Sequence, residues 1–134
     1  DKVIRMCLIH DLGECFIGDI PTFAKTDADE AREEAELMAW VRSLPEPVSG
    51  EMEALYREMI ALETPEAKLY KAMDKLEAIV QHNESDIATW EPHEYQLNMT
   101  YADDAVAWSP VLRELREAIR NDTKAKIAAA EQQA

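Results

Sequence analysis

The sequence predicts an all-α protein, and three observations support this fold class. Only three glycines occur among the 134 residues, so β-hairpin turns have almost none of the residues that they require. Runs of alternating β-branched residues are absent, whereas apolar residues recur at spacings of three and four along most of the chain. Because a chain of this length suits one compact core, we expect residues 1–134 to form a single domain.

The first helix is predicted to run from Lys2 to Phe16, where apolar residues recur at helical spacing. Gly18 and Pro21 are expected to end it, because neither residue supports a regular helix. Four residues stack along one side of this helix at spacings of three or four: Val3, Cys7, His10 and Glu14.

Two shorter helices are predicted to follow. The acidic stretch TDADE at residues 26–30 is typical of a helix N-terminus, and the helix that it begins is expected to end before Pro45 and Pro47. Ser49 can cap the next helix, whose apolar residues fit the helical template closely. The expected apolar faces are Ala31, Ala35, Met38 and Val41 in one helix, and Met52, Leu55, Tyr56, Met59 and Ile60 in the other.

The fourth predicted helix begins at Thr64-Pro65, where the threonine can cap it and the proline occupies the first helical position. Apolar residues occur on both of its sides, which predicts burial on two faces. One side carries Leu69, Ala72, Met73, Leu76, Ile79 and Val80, and the other carries Ala67, Tyr70, Asp74 and Ala78.

The segment from Asn83 to Trp108 has no regular period and is predicted to be loop with short helical pieces. Ser109-Pro110 repeats the cap signature and predicts a last helix. Its apolar positions are Leu112, Leu115 and Ile119, and the residues beyond them are expected to extend the helix or fray.

The composition excludes several kinds of partner. The formal net charge is −14, and so acidic a surface repels nucleic acid and anionic lipids. No apolar stretch has the length of a membrane span, and no secretory leader is evident. Cys7 and Cys15 are too far apart on one helix for a disulfide and suit buried thiols in a reducing compartment. These observations predict a cytoplasmic protein that binds neither nucleic acid nor membranes.

His10 and Asp11 are adjacent, and on a helix both side chains can reach one metal ion. Imidazole with carboxylate suits a divalent ion such as manganese, cobalt, zinc or iron. Such an ion would also give a small anionic substrate the positive charge that this acidic protein otherwise lacks. The alternative is an exposed polar pair near a helix end.

Asp74 is a carboxylate on a helix with two apolar sides. Burying it is costly unless a cation or hydrogen-bond donors compensate. It is therefore either a metal ligand or the partner of an ion pair with Lys71, Lys75 or an arginine.

The segment HDLGECFIGDIPT at residues 10–22 and the segment EAKLYKAMDKLEAIVQ at residues 66–81 resemble the HD-domain metal-dependent phosphohydrolases, and among them the 5'-deoxynucleotidase branch. The resemblance implies an HD-domain helical bundle. It also implies that His10, Asp11 and Asp74 bind one divalent ion, which would be manganese, cobalt, zinc, iron or magnesium.

The same resemblance implies roles for neighbouring residues. Glu14 and Asp19 would serve catalysis, with Glu14 orienting the attacking water or moving its proton. Substrate contacts are implied for Asp11, Asp19, Ile20, Pro21, Thr22 and Asp74. The alternatives are an ordinary helix-surface carboxylate for Glu14 and a turn residue for Asp19, while Lys68 and Lys71 either hold phosphate or are solvated.

The family takes its first metal histidine from a helix upstream of the HD pair, and no histidine precedes His10. His82 follows Asp74 by eight residues, about 12 Å along a helix axis, which is too far to share one ion. His93, in the irregular segment, could fold back toward the ion, although a loop histidine is more typical of polar surface. We therefore expect residues 1–134 to lack an N-terminal helical segment that carries this histidine.

Loss of that segment would have consequences for binding and assembly. Val3 and Met6 would be exposed on the first helix, which predicts self-association, with a homodimer as the expected state. With one ligand missing, divalent ions should bind weakly and hydrolysis should be slow or absent.

Three functions remain open. The first is a metal-dependent 5'-nucleotidase that releases phosphate from (deoxy)nucleoside monophosphates by attack of a metal-bound water. The second is an HD phosphohydrolase for another nucleotide, and the third is a degenerate, non-catalytic helical interaction domain.

Overall fold

The computed structural model describes residues 1–20 and 24–132, and within these ranges the protein is all-α, as predicted, with no strand. None of the described helices combines the length and the apolar character that a membrane crossing requires. The α-helices in chain order are α1 Lys2–Ile9, α2 Glu14–Ile17, α3 Asp27–Ser43, α4 Val48–Ala61, α5 Pro65–Glu84, α6 Glu94–Thr100, α7 Asp103–Val106 and α8 Pro110–Glu131, with a 3-10 helix at Ile87–Thr89 before α6.

The chain divides into two compact units, Asp1–Tyr70 and Lys71–Ala134. In the first unit α3 contacts α2 and α4, and α4 also contacts α1. The side chains at its centre are Met6, Leu37, Met38, Val41, Tyr56, Met59, Ala67 and Tyr70. In the second unit α8 contacts α6, α7 and the 3-10 helix.

The first predicted helix is interrupted at the His-Asp pair, so the predicted continuous helix from Lys2 to Phe16 is wrong. α1 ends at Ile9, and a turn at residues 10–13 precedes α2. Backbone N–H groups in this region bond to carbonyls three residues back, for example Leu12 N to Ile9 O at 3.2 Å. This pattern winds the backbone more tightly than an α-helix does. The stacking predicted for Val3, Cys7, His10 and Glu14 therefore does not continue past Ile9.

A tertiary contact explains the interruption. The hydroxyl of Tyr56, on α4, donates a hydrogen bond of 2.6 Å to the carbonyl oxygen of Ile9. In a continuous α-helix that carbonyl would accept from the N–H of Gly13 instead. The Tyr56 hydroxyl therefore binds the carbonyl oxygen of the residue just before His10, and this hydrogen bond connects the end of α1 to α4.

Replacing Tyr56 with phenylalanine is expected to lower the free energy of unfolding by about 1 kcal/mol at neutral pH, because the Ile9 carbonyl loses a buried donor. Burial, with smaller contributions from Cys15 and Tyr70, raises the pKa of Tyr56 to about 12, against an ordinary value of 10.0. The folded parent therefore keeps a proton that the unfolded chain loses as the pH rises, so the parent loses stability between pH 10 and 12.

The measurement is urea unfolding of the parent and of Tyr56→Phe at neutral pH and across pH 10 to 12. The stability difference between them should shrink over the alkaline range. A stability difference that stays constant between pH 10 and 12 would contradict the raised pKa of the buried Tyr56 hydroxyl.

The predicted start of α3 is confirmed. The Thr26 hydroxyl accepts a 3.2 Å hydrogen bond from Asp29 N, and Asp29 Oδ2 in turn accepts a 3.0 Å bond from Thr26 N. This reciprocal pair is a capping box. Of the predicted apolar face, Met38 and Val41 are buried but Ala31 and Ala35 are exposed.

The predicted start of α4 is wrong. The helix begins at Val48 after Pro47, and Ser49 lies inside it as a buried residue instead of capping it. The carboxylate of Glu46 takes over part of that role, accepting a 3.2 Å bond from Gly50 N. Tyr56 and Met59 are buried as expected, but Ile60 is half-exposed, because the core of the first unit covers a narrower stripe than the sequence pattern suggests.

The face of α1 that the sequence predicts to be exposed is part of the core. Met6 is completely buried, and Val3 packs against the core cluster. The exposed apolar residues of α1 are Ile4 and Leu8. The predicted burial of the thiols is also incorrect, since Cys7 is half-buried and Cys15 is exposed.

The second half of the chain matches the predicted elements closely. Thr64 Oγ1 accepts a 3.2 Å bond from Ala67 N at the start of α5, and Ser109 Oγ caps α8. Both predicted sides of α5 contain buried residues, among them Ala67, Tyr70, Ala72, Leu76 and Ile79, whereas Met73 is exposed. The helix α8 continues to Glu131, so the chain beyond Ile119 extends the helix. Leu115, however, is exposed.

A buried arginine organises the second unit. Arg116 is 1% exposed, and its Nε and Nη2 donate to the carbonyls of Tyr101 and Asn98 at 2.9 and 3.0 Å. Asp103 lies 3.1 Å from its Nε and 2.8 Å from Arg120. The helix α8 is thereby linked by polar contacts to the irregular segment before it.

Candidate functional site

The tight turn between α1 and α2 presents the side chains of the predicted His-Asp pair. His10 Nδ1 lies 2.8 Å from the carbonyl oxygen of Cys7. A carbonyl oxygen can only accept, so Nδ1 carries the proton and Nε2 is the nitrogen that faces the rest of the site. The Tyr70 ring meets the imidazole edge-on, with 6.3 Å between ring centroids. These contacts set the orientation of the imidazole.

The two predicted ligand atoms of this pair lie side by side. His10 Nε2 is 3.1 Å from Asp11 Oδ2, and the Asp11 side chain is 60% exposed. With the imidazole proton on Nδ1, His10 Nε2 and Asp11 Oδ2 are both acceptors. Two such atoms repel each other unless a proton or a cation lies between them. Two neighbouring ligands of one octahedral ion, each at about 2.1 Å, are about 3.0 Å apart. The donor set and spacing of this pair suit either an ion pair, with a proton shared between the two atoms, or a divalent cation.

Glu14 begins α2 and lies in an electrostatically negative environment. Burial, followed by the nearby carboxylates of Asp11, Asp19 and Glu33, raises its pKa above the ordinary value of 4.5, and Lys25 opposes the shift. A carboxylate that holds its proton more tightly is also a better proton acceptor when ionised. Glu14 thus has the environment expected of a residue that moves a proton.

Glu33, on α3, is a site neighbour that the sequence analysis missed. A Cβ atom at Gly13 would lie 2.7 Å from Cγ and from Oε1 of Glu33, so the Glu33 side chain lies directly against the backbone of the His-Asp turn. Lys25 Nζ lies 2.6 Å from Glu33 Oε2. In the sequence Glu33 lies in a stretch rich in acidic residues, and nothing local distinguishes it from a solvated glutamate.

The remaining predicted contact residues of this segment are only partly described. Asp19 is exposed and Ile20 is half-buried, just after Gly18 ends α2 with a φ of 86°. The carboxylate of Asp19 is near enough to Glu14 to raise its pKa. Pro21 and Thr22 lie outside the described residues.

Asp74, on α5, is half-buried and 2.7 Å from Lys71 Nζ. One of the ion pairs considered from the sequence is therefore present, while Lys75 pairs with Asp104 at 3.1 Å. Lys68 is exposed. A lysine beside a carboxylate is compatible with a residue that holds an anionic substrate as well as with a surface ion pair.

The two later histidines have other surroundings. His82 Nδ1 lies 2.8 Å from Asn98 Oδ1, and its Nε2 lies 3.6 Å from Glu94. His93 is exposed at the residue before α6. Both lie in the second unit, where His82 takes part in the packing of α6.

Among the residues that the structure describes, no group of three or more His, Cys, Asp or Glu side chains is arranged to hold a metal ion. His10 and Asp11 are together, and a third ligand is not assembled with them in the described residues. The set of His10, Asp11 and Asp74 stays a prediction.

A groove with a volume of about 430 Å³ lies along α3 and α4 of the first unit. Its lining is about equally polar and apolar, with Glu34, Arg42 and Arg57 beside Ala31, Ala35, Met38 and Ile60. None of the predicted site residues lines it.

Comparison with known proteins adds the family context. A sequence profile described as HD domain matches residues 1–116. The 5'-deoxynucleotidase HDDC2 of Bos taurus is 34% identical over 86 residues, which cover 63% of this chain and 42% of the relative. The HDDC2 proteins of Homo sapiens and Dictyostelium discoideum are 32% and 33% identical over 98 and 97 residues.

These two matches cover 72% and 71% of this chain, and 48% and 50% of the relatives. The chain spans about half the length of the curated relatives it matches. No solved structure matches it significantly.

Proposed function

Since the chain belongs to the HD domain family, we propose that it is a metal-dependent phosphoric monoester hydrolase of the 5'-nucleotidase type. Its relatives are named 5'-deoxynucleotidases, which supports (deoxy)nucleoside monophosphates as the substrate class. The products would be a nucleoside and inorganic phosphate.

The observation that carries the proposal is the His-Asp turn. His10 Nε2 and Asp11 Oδ2 lie 3.1 Å apart, which suits a divalent cation. Glu14 follows His10 by four residues. Asp74 is the proposed third ligand. When bound, a divalent ion neutralises phosphate charge and lowers the pKa of a coordinated water.

The residues around this position have complementary tasks. Glu14 accepts the proton of the attacking water through its carboxylate, and its raised pKa favours the transfer. As the new bond to phosphorus forms, the bond to the sugar oxygen breaks, and that oxygen takes up a proton that Glu14 can return. Asp19, whose charge acts on Glu14, would accept a hydrogen bond from a sugar hydroxyl.

Phosphate release tests the proposal. The protein is incubated with deoxynucleoside and ribonucleoside 5'-monophosphates, and with di- and triphosphates, in the presence of Mn²⁺, Co²⁺, Zn²⁺, Fe²⁺ or Mg²⁺. We expect release from monophosphates with at least one ion, and its loss on adding a chelator, because the anionic substrate needs a positive centre.

Two variants serve as the comparison. Asp74→Asn should abolish release and weaken binding of the ion in calorimetric titrations, whereas Glu51→Gln, an exposed carboxylate paired with Arg5, should change neither. Release from triphosphates alone would favour an HD phosphohydrolase for another nucleotide. No release from any substrate with any ion would favour a non-catalytic interaction domain.

A further inference from the structure

The pair of Lys25 and Glu33 lies beside the candidate site, and the proposed chemistry does not use it directly. Lys25 Nζ and Glu33 Oε2 are 2.6 Å apart, and their side chains are only 22% and 16% exposed. The same glutamate packs against Gly13, where a Cβ atom would come within 2.7 Å of it. The pair therefore joins the start of α3 to the turn that carries His10 and Asp11.

We infer that Lys25 and Glu33 are positioning residues, which hold Glu14 in place for proton transfer. The inference rests on the proposed function for its catalytic consequence. Through its contact with Gly13, the residue before Glu14, Glu33 fixes the backbone that positions the Glu14 side chain. Lys25 keeps Glu33 in that position through the ion pair.

Charge explains why both members are needed. Asp11, Glu14, Asp19 and Glu33 are four carboxylates, and their mutual repulsion acts on Glu14. Lys25 carries a positive charge that partly offsets this repulsion on Glu14, and it is also attracted electrostatically by Glu30. Without Lys25, repulsion drives Glu33 away from Glu14 and loosens its contact with Gly13.

Removing the other partner has a different effect. With Glu33 neutral, Lys25 has lost its closest anion and can turn toward Glu14, with which it already interacts electrostatically. A direct ion pair would hold Glu14 in its charged form and make it a poorer proton acceptor. Both substitutions therefore impair proton transfer by Glu14. Loss of Lys25 loosens the backbone that positions Glu14, and loss of the Glu33 charge lets Lys25 form an ion pair with Glu14.

The first measurement needs no activity. Backbone amide spectra of the metal-free protein are recorded for the parent, Lys25→Met, Lys25→Arg and Lys2→Met. Lys2 is a matched control, because it forms an ion pair with Glu58 at 3.0 Å and is not among the groups that act on Glu14. The amides of Gly13 and Glu14 should move in Lys25→Met, and should stay close to the parent in Lys25→Arg and Lys2→Met.

The second measurement is steady-state phosphate release. In Lys25→Met and Glu33→Gln we expect kcat to fall about tenfold and KM to change less than about twofold, since the pair acts through Glu14 and not on the substrate. Lys25→Arg should keep kcat within about threefold of the parent, because the charge is retained.

The possible results separate the two proposals. Unmoved Gly13 and Glu14 amides in Lys25→Met would overturn the inference, as would moved amides with an unchanged kcat. If the parent releases no phosphate under any condition, the proposed function fails and the spectra alone decide whether the pair holds the turn. If Lys25→Met does not fold, Glu33→Gln and Lys25→Arg supply the same comparison.

Discussion

Replacing Glu14 with alanine is expected to lower phosphate release by a factor of about 100 to 1,000, which is typical of losing a positioned proton acceptor. The melting temperature should stay close to that of the parent or rise slightly, because the carboxylate lies among Asp11, Asp19 and Glu33 and is repelled by all three. Asp11→Ala should instead weaken binding of the divalent ion. The measurements are phosphate release, calorimetric metal titration and thermal unfolding on the same preparations.

The pH dependence of stability gives an independent check on Glu14. Its pKa is higher in the folded protein than the ordinary value of 4.5, so the folded state binds this proton more tightly than the unfolded state does. The parent consequently loses stability as the pH rises above 4.5 through the folded pKa. Glu14→Gln should therefore gain melting temperature relative to the parent over that range, and not below it.

An exposed glutamate on α3, Glu36, provides the control for these experiments. Glu36→Ala should leave phosphate release, metal binding and their pH dependence as in the parent. Equal activity in Glu14→Ala and the parent would assign Glu14 to the protein surface and remove it from the proposed mechanism.

Replacing Arg116 with methionine is expected to lower the free energy of unfolding by about 3 kcal/mol, at the lower end of the range for breaking a buried ion pair. The carbonyls of Tyr101 and Asn98 would lose donors at 2.9 and 3.0 Å, and buried acceptors without donors are costly. Asp103 keeps its contact with Arg120 at 2.8 Å, which limits the loss. Urea unfolding followed by circular dichroism measures the change.

The matched control is Arg113, which lies one turn earlier on α8. It is exposed and donates one 2.6 Å bond, to the carbonyl of Ala107. Arg113→Met should cost less than about 1 kcal/mol, since a single exposed hydrogen bond contributes little. Equal destabilisation by the two substitutions would show that the burial of Arg116 does not stabilise the second unit.

Local sequence determined the helical elements and the candidate chemical groups. Caps such as Thr26, Thr64 and Ser109 act on backbone groups two or three residues away, so their residue types are enough to predict where α3, α5 and α8 begin. The His-Asp pair and Glu14 are likewise close in the chain. Their electrostatic proximity follows from that closeness, even though the helix predicted to carry them is broken.

Tertiary structure alone decided where α1 ends and which residues surround Glu14. The hydroxyl of Tyr56 comes from α4 to the carbonyl of Ile9, and Glu33 comes from α3 to Gly13. Neither contact leaves a periodic signal, because each joins a side chain to the backbone of a segment that is distant in the sequence. Burial is decided in the same way: Leu115 fits the apolar pattern of α8 but is exposed, whereas Arg116 beside it is buried by the carbonyls and the carboxylate that bind it. Spacing along a helix specifies a face, and only the neighbouring elements determine whether that face meets apolar side chains, polar partners or water.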